Sequence, residues 1–560
     1  MLSKLRVAAA SITLVLAFTG TVAAQAADMA LRNGAIYTLD TAHPWASALV
    51  IKDGRIAYVG DEAGLKPYLP GARVIDLHGE MVLPGFHDAH IHPMSGAMRL
   101  LLCDLSGAKS PEQLYDGVRK EAATGNPWVF CNGVPDALTA GIDGAKLDAL
   151  VPDRPVFIRN ATGFKGWANS KALAAGGIDP DGIGPEIRGV ERDPKTHKPT
   201  GVLDDEATNL VRGKVPPPTE TQYREALKRA TAMANSFGIT SLFDAAVSGS
   251  MFDAYHAADQ AGELTVRVVG AQLVDTRRGL DQVDEMVKRR EALRGKRFRP
   301  DAAKIFLDGE SAEHTASLLA PYADMPDSRG PIIPQDALDA MVQKLDAAGF
   351  LIHMHAMGDG SVRAGLDSIE HAMNVDGPQD RRDQIAHVGV VDPADIPRFG
   401  KLGITANFTS IWFQADDEAS ADTMRVLGPE RSQYMFPIGS IAAAGGRLTA
   451  GSDWPQLTLS PLDGIQYAMT RQPLDGSKPP LLPNERISLA QAIAAYTRDA
   501  AWVVHEDKLD GTLEVGKAAD IVVLDQNLFK VDVLSIHKTH VLLTLLDGEP
   551  VYRAPQFTWP

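Results

Sequence analysis

The sequence predicts an α/β fold: a (β/α)8 barrel with a small β-sandwich domain built from both chain ends and an insertion after the first barrel strand. The middle of the chain alternates helix-like stretches with short apolar strands, for example Thr219 to Phe237 followed by Gly238 to Asp244. Both ends are rich in short β-branched strands, and residues 95–215, rich in glycine, proline, aspartate and lysine, interrupt the alternation. We therefore expect a signal peptide at 1–26, a β-domain at 27–80 plus 508–560, a barrel at 81–94 plus 216–507, and an insertion domain at 95–215.

Composition narrows the class of partner. The chain has 560 residues, 45% of them hydrophobic, so a sizeable core can be buried. Its formal net charge of −16 argues against nucleic acid and against an anionic membrane surface. A small-molecule substrate fits this acidic globular chain, and a homo-oligomer remains open.

The first residues have the pattern of a secretory signal peptide. Lys4 and Arg6 precede an apolar stretch from Val7 to Phe18, and Ala24-Gln25-Ala26 supplies a cleavage site. The alternative is an uncleaved membrane anchor, for which this stretch is short. We expect export, to a bacterial periplasm or beyond.

Two cysteines, Cys103 and Cys131, lie in the insertion. An oxidising compartment permits a disulfide between them. Two buried free thiols fit the sequence equally well, because spacing alone gives no distance.

The β-domain is predicted from strands at the two ends of the chain. Asp53-Gly54 and Asp547-Gly548 mark tight turns within them. The strand candidates are Met29 to Thr38, Ala48 to Gly60, Arg73 to His78, Ala519 to Asp525 and His540 to Tyr552.

Polar residues end the predicted barrel strands. His90 and His92 follow the apolar run that starts at Met81, and residues two apart on a strand point to the same side. The full set is His90, His92, Lys304, His355, His387 and Asp453. Taken singly, each histidine fits a surface or rim position, the lysine can snorkel, and the aspartate can cap a turn. Catalytic groups of such barrels lie at strand carboxyl ends, so the set together predicts a site for a divalent metal.

Six stretches carry a family resemblance, in order, over nearly the whole mature chain. They are Pro84 to His92, Trp167 to Leu173, Ala303 to Gly309, His355 to Asp359, Gly451 to Pro455 and Leu513 to Leu524. In them the chain resembles the amidohydrolase superfamily, specifically the YtcJ-like branch of amidohydrolase family 3 that includes N-substituted formamide deformylases.

The resemblance implies a two-metal hydrolase. His90 and His92 would bind one ion, His355 and His387 a second, and Lys304 would bridge them as a carboxylated lysine. A free ammonium has no lone pair for a metal, whereas a carbamate offers two anionic oxygens. Zinc suits these ligands. Asp453 would bind metal, act as general base and then protonate the leaving group. The reaction would be hydrolysis of an amide or related C–N bond by a metal-activated water.

The chain departs from the family pattern where substrate would bind. Phe164 replaces a histidine of the family, and His314 replaces an arginine. A more apolar pocket is one consequence, and packing of Phe164 inside the insertion is the other. Trp167, Trp412 and Trp454 are further candidate substrate contacts, with ordinary core positions as the alternative.

Three alternative functions remain compatible with the sequence. A binding or regulatory protein can keep such a scaffold without catalysis. The same site can cleave an ester, a lactone or a cyclic amide. A mononuclear enzyme can keep Lys304 as a free amine.

Overall fold

The structure, a computed structural model, describes residues 28–101, 103–160, 165–182, 187–330, 334–414, 418–456 and 458–558. The predicted signal peptide and Phe164 lie outside the described residues. Within the described chain, no helix is both long enough and apolar enough to cross a membrane.

The N-terminal part forms seven strands and one short helix before the barrel begins. They are β1 (Met29–Arg32), β2 (Ala35–Tyr37), β3 (Trp45–Ala46), β4 (Ala48–Lys52), β5 (Arg55–Gly60), α1 (Glu62–Leu65), β6 (Arg73–Asp76) and β7 (Met81–Pro84). Four of them form a sheet in the order β5-β4-β1-β6. The first barrel strand follows as β8 (Phe86–Ile91), and then helix α2 (Pro93–Leu101).

The insertion is a domain with a sheet of its own. Its elements are β9 (Cys103–Asp104), α3 (Pro111–Ala123), β10 (Val129–Val134), α4 (Gly144–Leu150), β11 (Val156–Asn160), β12 (Lys165–Ala168), α5 (Ser170–Ala175), β13 (Val190–Arg192), β14 (Pro199–Asp204) and α6 (Asp205–Arg212). The strand order is β13-β14-β12-β11-β10-β9, and apolar side chains cover both faces of this sheet. Cys103 and Cys131 face each other on β9 and β10 and form a disulfide, so the bridged alternative is the one observed.

Eight parallel strands form the barrel, which confirms the predicted fold class. After β8 come β15 (Ile239–Val247), β16 (Arg267–Leu273), β17 (Phe298–Phe306), β18 (Leu351–Ala356), β19 (Gln384–His387), β20 (Thr405–Phe408) and β21 (Arg447–Ala450), adjacent in that order. The backbone N–H of Asp453 donates to the His90 carbonyl at 2.8 Å, and that of His92 donates to the Trp454 carbonyl at 3.0 Å. These bonds join the end of the last strand to the end of the first.

Helices connect the barrel strands and cover the outside. They are α7 (Glu220–Ser236), α8 (Met251–Gln260), α9 (Gln282–Leu293), α10 (Gln335–Ala347), α11 (Asp359–Asp376), α12 (Ile396–Leu402), α13 (Glu418–Arg431, interrupted at Gly428), α14 (Ile438–Ala443), α15 (Pro461–Thr470), α16 (Leu489–Ala495) and α17 (Arg498–Val503). Thr219 begins α7 with a reciprocal capping box to Gln222, which satisfies the first backbone donors. Short 3-10 turns lie at Lys66–Tyr68, Asp136–Leu138, Ser410–Phe413, Ser432–Tyr434, Pro483–Glu485 and Val533–Lys538.

The C-terminal strands return to the N-terminal ones. They are β22 (Ile521–Leu524), β23 (Val541–Leu546) and β24 (Glu549–Arg553), and they complete a second sheet in the order β24-β23-β22-β7-β2-β3. Apolar residues of the two sheets, such as Leu49 and Leu543, share one core and form the predicted β-sandwich. Because β7 pairs within this sandwich, the barrel begins at Phe86 and not at residue 81, where the sequence placed the boundary.

Candidate functional site

The six predicted metal-site residues lie at the carboxyl ends of five barrel strands. His90 is on β8 with His92 just after it, and Lys304 is on β17. His355 is on β18, His387 ends β19, and Asp453 follows β21. Since parallel strands end at one edge of the barrel, their side chains meet there.

Imidazole and carboxylate groups converge at this edge. Candidate ligand atoms of His90, His387 and Asp453 all lie within 4.8 Å of one another. Oδ1 of Asp453 is 3.7 Å from Nε2 of His90 and 3.4 Å from Nε2 of His92. The ring of His355 lies 4.6 Å from that of His387, centroid to centroid. The cluster is compact enough to hold divalent metal, and its donors are the types that zinc-like ions take.

One close approach makes the cluster possible. A Cβ on Gly451 would lie 2.5 Å from the backbone nitrogen of His90, closer than real carbon atoms come. Glycine at this position therefore lets the end of β21 pass beside β8 and bring Asp453 to the histidines.

Lys304 is fully buried within this cluster. Its Nζ has no hydrogen-bond partner among the described residues and lies 4.6 Å from the Phe306 ring centroid. Burial lowers the pKa of Lys304 to about 7, and the charge of Asp453 only partly opposes this shift. An unpaired buried ammonium is costly, so the site favours an uncharged or modified nitrogen.

Two of the buried histidines, His90 and His387, are held neutral. Burial, with the neighbouring Lys304 and other imidazoles, lowers the pKa of His90 and of His387 well below the ordinary range. Neutral imidazole keeps the lone pair that a metal ion needs. For His355, burial lowers the pKa, but hydrogen bonds to Asp308 and Glu310 outweigh it and raise the value overall.

Asp308 orients His355. One carboxylate oxygen accepts from Nδ1 of His355 at 3.1 Å and from the Met357 backbone N–H at 3.0 Å. The other accepts from the Gly358 N–H at 2.9 Å and the Ser361 hydroxyl at 2.6 Å. With Nδ1 engaged in this way, Nε2 of His355 is the nitrogen left for a ligand.

Two further buried residues belong to the site and were missed in the sequence. Nε2 of His353, on β18, lies 2.9 Å from Nδ1 of His90, and both rings are almost completely buried. Asp88 accepts from the backbone N–H groups of His90 at 3.2 Å and Ser452 at 3.0 Å. The His353-x-His355 spacing repeats that of His90 and His92, and it was the signal available for His353.

The predicted substrate contacts are dispersed. Trp167 is 1% exposed in the apolar core of the insertion, so its side chain has no surface for a ligand. His314 lies in the loop after β17, with Nε2 2.8 Å from an oxygen of Asp324. Trp412 is half-buried in the Ser410–Phe413 turn, and Trp454 packs on Gly96 of α2 beside the metal-site edge.

Comparisons with known proteins agree with this geometry. The sequence profile described as "Amidohydrolase family" matches residues 73–552. The protein YtcJ of Bacillus subtilis (strain 168) is 29% identical over 93% of this chain and 98% of its own length. The N-substituted formamide deformylase of Arthrobacter pascens is 25% identical over 94% of this chain and 98% of its own. The crystal structure of an uncharacterized metal-dependent hydrolase from Pyrococcus furiosus superposes with a TM-score of 0.74 at 25% identity, covering 90% of this chain and all of that one.

Proposed function

The chain belongs to the amidohydrolase family, and we propose that this metal-dependent hydrolase cleaves an amide or related C–N bond in a small N-acyl or N-formyl substrate. The observation that carries the proposal is the convergence of the histidines and Asp453 around a buried, unpartnered Lys304. The 25% sequence identity to an N-substituted formamide deformylase, over 94% of this chain, supports the choice of an amide or related C–N bond.

The donor set fits two divalent ions, and we assign zinc because imidazole and carboxylate-type oxygens suit it. His90, His92 and Asp453 would hold the first ion, and His355 and His387 the second. The neutral amine of Lys304 would add carbon dioxide, forming an N–C bond and releasing one amine proton to solvent, and the resulting carbamate would supply anionic oxygens for the ions. The Nζ without a partner supports this modification, because a carbamate between two cations removes the unpaired buried group.

When bound, the metal supplies an activated water and polarises the scissile carbonyl. Asp453 accepts the proton of the attacking water and returns it to the leaving nitrogen, so no net proton is lost. Its side chain is 13% exposed at the edge, where it reaches both water and a substrate nitrogen. Asp308 keeps His355 in one orientation during this cycle.

We also propose that the protein works outside the cytoplasm of a bacterium. The signal-peptide pattern before residue 27 supports export. The Cys103–Cys131 disulfide supports an oxidising compartment, since such bonds are rare where thiols are kept reduced.

A substrate panel with metal analysis tests the function. N-formyl amines, N-acyl amines, simple esters and lactones are incubated with mature protein, with chelator-treated protein and with the Asp453→Asn variant. We expect about one to two ions per chain and amide turnover that is lost on chelation. Asp453→Asn should keep its metal while kcat falls at least about 100-fold.

The alternatives give different results. Turnover of esters or lactones without amides assigns a different bond to the same site. Full activity after complete metal removal contradicts the proposal. Metal binding without turnover of any class identifies a non-catalytic scaffold.

A further inference from the structure

Apart from the candidate metal site, a cavity lies where the insertion meets the barrel. It measures about 390 Å³ and is formed by β10 of the insertion, helix α2, the end of α6 and the start of α7. Met98, Trp128, Phe130 and the Pro216-Pro217-Pro218 run supply apolar walls, and Arg212 supplies a charge. None of the predicted metal-site residues lines it.

The described side chains offer the Arg212 guanidinium no acidic partner. It is half-buried at the end of α6, and its guanidinium carbon lies 4.8 Å above the Phe130 ring centroid. Among the described residues its guanidinium forms neither a hydrogen bond nor an ion pair. A cation over an aromatic face is only weakly stabilised at a partly exposed site, and the contact leaves the hydrogen-bond donors of the guanidinium unused.

A second arginine intensifies the positive charge. The guanidinium carbon of Arg159 lies 5.7 Å from the same Phe130 ring, and its Nε donates to the Asn132 amide oxygen at 3.3 Å. Burial lowers the pKa of Arg159, and the charges of Arg212 and Arg99 lower it further. The two stacked cations therefore repel each other beside a cavity.

Glu121, an acidic residue that lines the cavity, does not neutralise the two arginines. Glu121 lines the cavity, but its side chain accepts from the Asn126 amide at 3.0 Å and forms no ion pair with either arginine in the described chain. In a chain with a net charge of −16, two neighbouring arginines that have no acidic partner among the described side chains are an unusual arrangement.

We propose that this cavity binds a small organic carboxylate, with its anionic group on Arg212 and its apolar body against Trp128 and Phe130. A guanidinium donates two parallel hydrogen bonds to a carboxylate, and the aromatic side chains beside Arg212 have no oxygen that could accept them. The volume falls in the range of small-molecule sites, about 300–1,000 Å³. The inference does not depend on the bond that the metal centre cleaves.

Two sources share this chemistry. α2 begins directly after His92, and α7 starts at the barrel edge where the strands end, so the cavity is on the same side as the metal centre. The carboxylate is therefore either a product of the protein's own amide hydrolysis or an independent metabolite.

Calorimetric titration of phenylacetate tests the proposal. Phenylacetate is titrated into both metal-loaded and metal-stripped protein, and phenylacetamide is titrated as the neutral ligand control into the metal-stripped protein, where it is not hydrolysed. Arg212→Gln is compared with Arg119→Gln, an exposed arginine of the same domain that pairs with Asp116. We expect binding that survives metal removal, weakens at least tenfold in Arg212→Gln and is unchanged in Arg119→Gln.

Several results overturn the assignment. They are no phenylacetate binding at millimolar concentration, equal binding by Arg212→Gln, equal binding of phenylacetamide, or loss of binding on metal removal, which would place the ligand on the metal centre. Should Arg212→Gln fail to fold, Arg212→Lys replaces it, because it keeps the charge but loses the paired donors and should still weaken binding. Inhibition of hydrolysis by phenylacetate that Arg212→Gln relieves assigns the hydrolysis product as the source, and its absence assigns a separate metabolite.

Discussion

His353→Phe should weaken metal binding while leaving the barrel folded. Phenylalanine keeps the ring and its packing on Phe243, whose centroid lies 4.8 Å away, but it removes the 2.9 Å contact with Nδ1 of His90. When Nε2 of His90 holds a metal ion, its Nδ1–H then faces an apolar ring with no acceptor. A buried donor left unsatisfied costs about 1–3 kcal/mol, which corresponds to about 5- to 150-fold weaker binding. Partners behind metal ligands show losses of about 10- to 100-fold.

The measurement is competition for zinc between metal-stripped protein and a coloured chelator, which does not depend on activity. His353→Gln is the matched variant, since its amide oxygen can accept from His90 and should restore much of the affinity. His371→Phe, on the exposed side of α11, controls for loss of any histidine. The reasoning is refuted if His353→Phe binds zinc within twofold of the wild type, or if the Gln variant is as weak as the Phe variant while both melt normally.

Three other substitutions test separate parts of the structure. Lys304→Met keeps the buried volume but removes the bridging nitrogen. The variant should hold fewer ions per chain, and its activity should fall by more than the roughly 100-fold typical for loss of a group that hydrogen-bonds to a metal ligand. Unchanged metal content would exclude a bridge. Asp308→Asn loses the two hydrogen bonds at one oxygen, about 3–6 kcal/mol in total, so the metal-free variant should melt well below exposed Asp116→Asn, and equal melting would contradict this. Cys103→Ser with Cys131→Ser opens a link across 28 residues and should destabilise the insertion by about 3–4 kcal/mol in urea unfolding; a double variant as stable as the wild type would show that the bond contributes little.

The sequence predicted which residues gather at the carboxyl edge of the barrel because the relevant rules are local. Residues two apart on a strand share a face, and parallel strands end at one edge, so His90, His92, Lys304 and Asp453 could be placed without knowing any contact. The same rules also reach His353, since it shares a face with His355. The contact of His353 with His90 could not be predicted, because it depends on which side chains face each other inside the closed barrel.

The carboxylates that hold the candidate ligands in place could not be predicted from the sequence, for a different reason. Asp88 and Asp308 act through backbone N–H groups from distant segments, such as Ser452 and Gly358, and no spacing rule connects those positions. Trp167 was predicted to contact substrate, but it is a core residue. It lies in a stretch that resembles the family, but its β-strand turns the indole into the insertion's core.

The domain boundary at residue 81 was misplaced because β7 and β8 form one nearly continuous extended segment that serves two cores. Only Gly85 separates them, and a Cβ there would lie 2.2 Å from the Thr240 hydroxyl oxygen. The Gly85 N–H donates to the Asp520 carbonyl of the sandwich at 2.9 Å, and the next N–H, of Phe86, donates to the Gly238 carbonyl of the barrel at 2.9 Å. The strand that carries His90 is therefore fixed at its start by the sandwich.

Charged residues strengthen the same junction. Arg267, on β16, donates to Asp520 at 2.9 Å and also pairs with Asp547, which joins a second barrel strand to the sandwich. His87, near the start of β8, lies 3.3 Å from Asp510 in a fully buried position. A buried ion pair adds little net stability but costs several kcal/mol when one partner is lost, so it enforces a single relative placement. The two chain ends thus do more than close the molecule: they set where β8 stands, and with it the distance from His90 and His92 to the ligands on the other strands.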